Sequence, residues 1–150
     1  QKRGITCIGI DESRQMCNLA RRRFTKAYPG VDLRLLRCVA EQLPLAERAI
    51  DAVISTFPSE YIFNESVIAG CHRVMRQGAN IVILMGAQPG GISIFNRILR
   101  FLYRASDLEF QTLLGPEHYL DRIRSHGFDI KSVTILFEND KLSLIYGHKV

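Results

Sequence analysis

Residues 5–24, ITCIGIDESRQMCNLARRRF, decide the fold. Residues 5–10 are short and apolar, the pattern of a strand buried on both faces. An acid follows at Asp11, and Ser13 is placed to cap a helix whose first backbone N–H groups need an oxygen acceptor. Met16, Leu19, Ala20 and Phe24 then form a rough helical stripe running down to Tyr28, where Pro29-Gly30 stops it. Strand, acid and helix together open a β-α-β unit. Ligands of open α/β sheets bind outside the carboxyl ends of the strands, and Asp11 lies at such an end. A carboxylate there can accept from both hydroxyls of a ribose; it can also serve as a turn residue or as a helix N-terminal charge.

The rest of the chain repeats the alternation. A second strand is expected over 31–39, then the polar connection AEQLPLAERA with Pro44 as its breaker. A third strand over 50–55 runs into Thr56-Phe57-Pro58, a helix over 65–76 ends at Gly78, and a fourth strand covers 80–85 before the loop GAQPGG. An apolar helix studded with arginines is expected over 92–104, and Gly115-Pro116 opens another that ends at Gly127. Two β patterns close the chain, over 128–137 and 142–150, joined by a hairpin turn at Glu138-Asn139-Asp140-Lys141. The expected architecture is one α/β domain over 1–150, a mainly parallel sheet with helices on both faces and a C-terminal antiparallel hairpin.

Composition sets bounds on function. With 150 residues, 47% apolar and 23% charged, the chain can bury a core of ordinary globular kind. No apolar run reaches the length of a membrane span; the longest, 81–85, is strand-sized. The net charge of +5 is mild, and its densest cluster, Arg21-Arg22-Arg23, falls late in a helix, where cations suit the negative end of the dipole. No aromatic residues interleave those arginines, so no nucleic-acid partner is expected. Four cysteines stand at 7, 17, 38 and 71, without a C-x-x-C pair and without metal-ligand spacing to a histidine. Cys7 and Cys38 sit in strand patterns, which predicts reduced, buried thiols, no metal and a cytoplasmic protein. The first residue is Gln1 rather than Met.

Several stretches then combine: GIDESRQMCNLARRRF at 9–24, AEQLPL at 40–45, IDAVISTFPSEYI at 50–62, CHRVMRQGANIVILMG at 71–86 and SHGFDIKSVTILFENDKLSLIYGHK at 125–149. In order and spacing they resemble the class I S-adenosylmethionine-dependent methyltransferases, closest to the broad small-molecule group. The resemblance implies a Rossmann-like fold, S-adenosylmethionine as cofactor and a small-molecule acceptor. It gives Asp11 the ribose hydroxyls, sets Glu12 beside the adenosine and lays Met16 against the adenine ring. Packing in the core is the other reading of Met16. Val39 and Ala40 would flank the adenine, with an N–H near Ala40 donating to a ring nitrogen. Thr56 and Phe57 would face the methionine part of the cofactor and the substrate.

Two features depart from the family. Many relatives have an aspartate before the alanine of the A-E-x-L-P element, where this chain has Val39. The glycine-rich G-x-G-x-G loop is absent, and with it the first strand of the family fold. That strand lies at the centre of the family's sheet, so the strands over 5–10 and 50–55 are expected to carry unpaired edges, and the sequence to be part of a longer protein.

Methyl transfer from a sulfonium needs positioning more than a protein nucleophile, so no catalytic residue is assigned. Glu60, Tyr61 and His118 are candidate bases or substrate contacts; a polar loop or an ordinary surface histidine is the plainer reading of each. Residues 92–104 are read as a lid over a hydrophobic or anionic substrate, with packing on the sheet and contact with a membrane surface as the alternatives. Against the methyltransferase reading stand a non-catalytic methyltransferase-like module retained for protein contacts and a nicotinamide-dependent oxidoreductase.

Overall fold

The computed structural model describes residues 6–56, 60–88, 117–137 and 140–150. The expected helix over 92–104, the Gly115-Pro116 helix start and Glu138-Asn139 of the hairpin turn lie outside the described residues. The chain divides into two compact units, Gln1–Pro44 and Leu45–Val150.

The first unit is β1 (Ile8–Asp11), α1 (Arg14–Ala27), β2 (Arg34–Arg37) and a 3-10 turn at Ala40–Gln42. β1 and β2 are parallel, in register from Ile8 opposite Arg34 to Asp11 opposite Arg37. α1 starts where the sequence predicts. Ser13 is extended, at φ −75° and ψ 116°, and its hydroxyl accepts the Met16 N–H at 3.3 Å. The helix closes with the Tyr28 N–H donating to the Phe24 carbonyl, and Gly30 turns the chain at φ 76°.

The helical stripe is only partly buried. Cys17 is the one buried residue of α1, whereas Met16 is 50% and Leu19 37% exposed. Core packing of Met16 is thereby overturned, because the short β1–β2 ribbon covers a narrow strip of the helix. The thiol expectation fails at two positions. Cys7 is exposed ahead of β1 and Cys38 is half-buried just past the end of β2, because both strands are shorter than their apolar patterns; Cys17 and Cys71 are buried.

The second unit comprises β3 (Ile50–Thr56), a 3-10 turn at Glu60–Phe63, α2 (Glu65–Val74), β4 (Met75–Gln88), α3 (Glu117–Arg124), β5 (Phe128–Phe137) and β6 (Asp140–Lys149). Its sheet runs β3-β4-β6-β5, with β3 parallel to β4 and β6 antiparallel to both neighbours. β6 is therefore interior, and β3 and β5 are the edges among the described residues. α2 buries Val67, Ile68, Cys71 and Val74, the spacing of one helical face. They share the core with Phe63, Ile81, Ile83, Ile123, Phe128 and Ile145, and the Phe63 ring stacks on Tyr119 with centroids 3.9 Å apart.

Two boundaries move. α2 stops at Val74, not Arg76, since Met75 already pairs with Ile50 on β3 and the Arg76 side chain turns out to the Arg48 carbonyl and the Asp51 carboxylate. Gly78, at φ 73°, lies in the irregular stretch between the Met75 and Asn80 pairings rather than at the helix end. The fourth strand runs on to Gln88 because β6 supplies partners as far as Lys141. The expected edges are seen as two separate sheets: among the described residues β1 is bonded to β2 alone and β3 to β4 alone. No helix among the described residues is long and apolar enough to cross a membrane.

Candidate functional site

Asp11 ends β1, and the chain turns there because its Oδ1 accepts the Ser13 N–H at 2.8 Å. This fixes the carboxylate at the strand's carboxyl end. Oδ2 has no partner among the described residues. The Asp11 carbonyl is engaged separately, accepting the Cys17 S–H at 3.5 Å. Glu12 is exposed, and its carbonyl accepts the Arg37 Nε–H at 3.0 Å. Arg37 was not among the expected site residues. In the sequence it is an exposed charge at the end of a short strand, and only the parallel register, which sets it opposite Asp11, makes the contact legible.

Because β1 and β2 are parallel, the chain leaves both at one edge of the ribbon. Val39, 38% exposed and extended, and Ala40, first residue of the 3-10 turn, follow β2 there. The Val39 carbonyl accepts the Gln42 N–H at 3.2 Å, while the Ala40 N–H, at the start of the turn, has no acceptor among the described residues. Met16, in the first turns of α1, adds a half-exposed thioether. The Gln1–Pro44 unit thus collects an ionisable acceptor with a spare oxygen, an orphan amide donor and exposed apolar side chains. Such a set can hold a vicinal diol together with a flat, polar-edged ring.

The remaining candidates belong to the other unit. Thr56 is the exposed last residue of β3, opposite Leu84. Phe57 lies outside the described residues. Glu60 and Tyr61 open the 3-10 turn; Tyr61 is 42% exposed, and nothing is described of the Glu60 side chain. His118 lies in α3, its side chain likewise outside the description. His72 is built into α2, its ring edge-on to Phe128 at 5.5 Å. Burial, then the charge of Lys149 and then that of His126, hold its pKa below the ordinary histidine value. A small apolar void among Ile62, Cys71, Ile83 and Ile123 offers no polar group to a ligand. Among the described residues no cluster of three or more His, Cys, Asp or Glu could hold a metal ion.

A family model described as a methyltransferase domain matches residues 1–83. No curated protein matches the chain by sequence. Among solved structures, a SAM-dependent methyltransferase from Methanosarcina mazei is 15% identical with a TM-score of 0.59, covering 95% of this chain and 81% of that one. A geranyl diphosphate C-methyltransferase from Streptomyces coelicolor, bound to Mg2+, geranyl diphosphate and S-adenosyl-L-homocysteine, is 12% identical with a TM-score of 0.63; this chain is covered to 95% and spans 63% of that enzyme. A SAM-dependent methyltransferase from Thermotoga maritima, described as a possible histamine N-methyltransferase, is 17% identical with a TM-score of 0.58, covering 95% and 72%. At these identities the likeness is one of fold.

Proposed function

The chain belongs to the methyltransferase domain family, and from that premise we propose that it binds S-adenosylmethionine and serves methyl transfer to a small-molecule acceptor. The observation that carries the reading is the β1–β2 end, where among the described residues Asp11, opposite Arg37, keeps an oxygen without a partner and the Ala40 amide, three residues past Arg37, has no acceptor. These groups fit the adenosine part of the cofactor. Asp11 accepts from the ribose hydroxyls, Glu12 lies beside them, Met16 and Val39 meet the faces of the adenine, and the Ala40 N–H donates to a ring nitrogen. A polarizable thioether suits a flat π-face. Val39 offers no acceptor to the adenine amino group, a loss of roughly 1 kcal/mol against relatives with an acid there.

Bound S-adenosylmethionine supplies a methyl group on a positively charged sulfur, ready for in-line attack. The protein's work is to hold that group and the acceptor in line and to keep water away. Thr56 and Phe57, at and just past the end of β3, are assigned to the methionine part and the acceptor. Glu60, Tyr61 and His118 are the groups proposed to touch the acceptor or take its proton. Support for a small acceptor comes from the neighbours, whose named substrates are geranyl diphosphate and, as a possibility, histamine.

Calorimetric titration with S-adenosylmethionine tests the reading. Charged hydrogen bonds are each worth about 1.5–3 kcal/mol, so Asp11→Ala is expected to weaken binding roughly tenfold or more. Asp11→Asn still accepts the Ser13 N–H but lacks the charge, and is expected to fall between. Equal affinity in all three proteins, or tighter binding of a nicotinamide dinucleotide than of S-adenosylmethionine, sinks the proposal.

A further inference from the structure

Three of the four cysteines lie in the Gln1–Pro44 unit, and two of them converge on one corner. The Cys17 sulfur rests 3.5 Å from the Asp11 carbonyl. Asp11 is opposite Arg37 in the parallel register, and Cys38 is the next residue along. Adjacent strands are about 4.8 Å apart, so the Cys38 backbone, one residue past the end of β2, lies within a residue's length of the strand end that Cys17 contacts. Cys17 is buried at 8% exposure, whereas Cys38 is half-buried and open to a reagent. We propose that Cys17 and Cys38 are an oxidation site, closing to a disulfide when the chain meets a low-molecular-weight disulfide such as oxidised glutathione.

The two thiols feel one another: burial, and after it the neighbouring Cys17, push the Cys38 thiol above its ordinary value. The other cysteines are placed to stay out of the bridge. Cys7 precedes the opposite end of β1, roughly 13 Å of extended chain from Asp11. Cys71 is buried in the core of the second unit.

Exchange balances without any further reagent. The more accessible Cys38 loses its proton and its thiolate attacks one sulfur of oxidised glutathione, breaking that S–S bond and releasing one glutathione, which takes up the proton. Cys17 then loses its proton and attacks the Cys38 sulfur, releasing the second glutathione with that proton. Two electrons pass from the protein dithiol to the reagent. The Cys17 S–H that donates to the Asp11 carbonyl is consumed, and the end of β2, from which Val39 and Ala40 follow, is tied to α1. Oxidation therefore disturbs both sides of the adenosine corner, a consequence that rests on the cofactor reading above.

The test begins with the reduced full chain, incubated with oxidised glutathione and mapped by mass spectrometry of non-reduced peptides. The expected product is a Cys17–Cys38 cross-linked peptide lacking two hydrogens, reversed by dithiothreitol and absent from Cys38→Ser. Glutathione that remains on Cys38, or a bridge through Cys7, overturns the site. S-adenosylmethionine titration is the second readout: the oxidised chain should bind about three- to tenfold more weakly, the worth of one typical hydrogen bond, and Cys38→Ser should not respond to the oxidant. A bridge without change in affinity overturns the coupling to the corner. A reduced chain that binds no S-adenosylmethionine overturns the cofactor reading and leaves the disulfide result standing.

Discussion

Lys149 is the only charged residue buried among those described, at 5% exposure, and its ammonium donates to the His72 carbonyl at 2.7 Å and the Met75 carbonyl at 3.1 Å. Its charge is thus held by carbonyls at the end of α2, where the helix dipole is negative. Lys149→Met keeps the length and removes both donors, and urea unfolding is expected to show a loss of roughly 1.5–3 kcal/mol. The substitution also changes the response to acid. His72 has its pKa lowered by burial first, then by Lys149 and His126, from an ordinary value of 6.5. A depressed histidine favours folding fully above 6.5, and that contribution is lost as pH falls from there through the folded value. Without the Lys149 charge the folded value rises toward the unfolded one. The stability lost as pH falls from 6.5 is therefore expected to be smaller in Lys149→Met. An unchanged loss would show that the His72 ring does not feel the ammonium. Residues of this kind separate what sequence discloses from what it hides. Asp11 is legible because a strand, an acid and a capping serine are adjacent in the chain. The hold of Arg37 on the Glu12 carbonyl and of Lys149 on α2 join residues 25 and 77 positions apart, and no local pattern encodes them.

At the scale of elements, β6 is the strand on which the larger sheet depends, since it is bonded to β4 on one side and β5 on the other. Gly147 lies on it opposite both Ile81 and Ile130. A Cβ there would overlap the Asp129 carbonyl oxygen and come within 2.7 Å of the Ile130 Cα. Both are backbone atoms, so no rotamer change relieves the clash, and β5 and β6 would have to part. Gly147→Ala is expected to cost about 3 kcal/mol or more, read as a lowered urea midpoint. Ordinary stability in that variant would mean that β5 packs less closely on β6 than described. The hairpin that contains this strand was legible from its two β patterns, and α2 from the helix expected over 65–76. The start of β4 was not. Met75, Arg76 and Gln77 extend the helical pattern of α2, and only pairing with Ile50 and the Arg76 contacts draws the chain out of the helix.

For the whole molecule the division of the core decides what is stable. Every buried apolar residue among those described belongs to Leu45–Val150, save Cys17. The Gln1–Pro44 unit therefore has little hydrophobic burial to hold it closed, and units of that kind open locally at lower free energy than the rest of a fold. Yet it carries the proposed adenosine corner. A ligand that binds only the closed form adds its binding energy to local stability, about 2.7 kcal/mol at a concentration one hundred times the dissociation constant. Amide hydrogen exchange reads this directly. Without ligand, amides of β1, α1 and β2 should exchange much faster than those of α2, β4 and β6. With S-adenosylmethionine at that concentration, protection should rise in β1, α1 and β2 by up to about a hundredfold, the factor implied by the concentration ratio, and Asp11→Ala should cut the rise by about tenfold or more. Protection gained in β4 and β6 but not in β1, α1 or β2 would move the cofactor away from Asp11. The same data locate the effect of oxidation. A Cys17–Cys38 bridge links α1 to the end of β2, so it should slow exchange in those elements without ligand while reducing the further protection that S-adenosylmethionine gives.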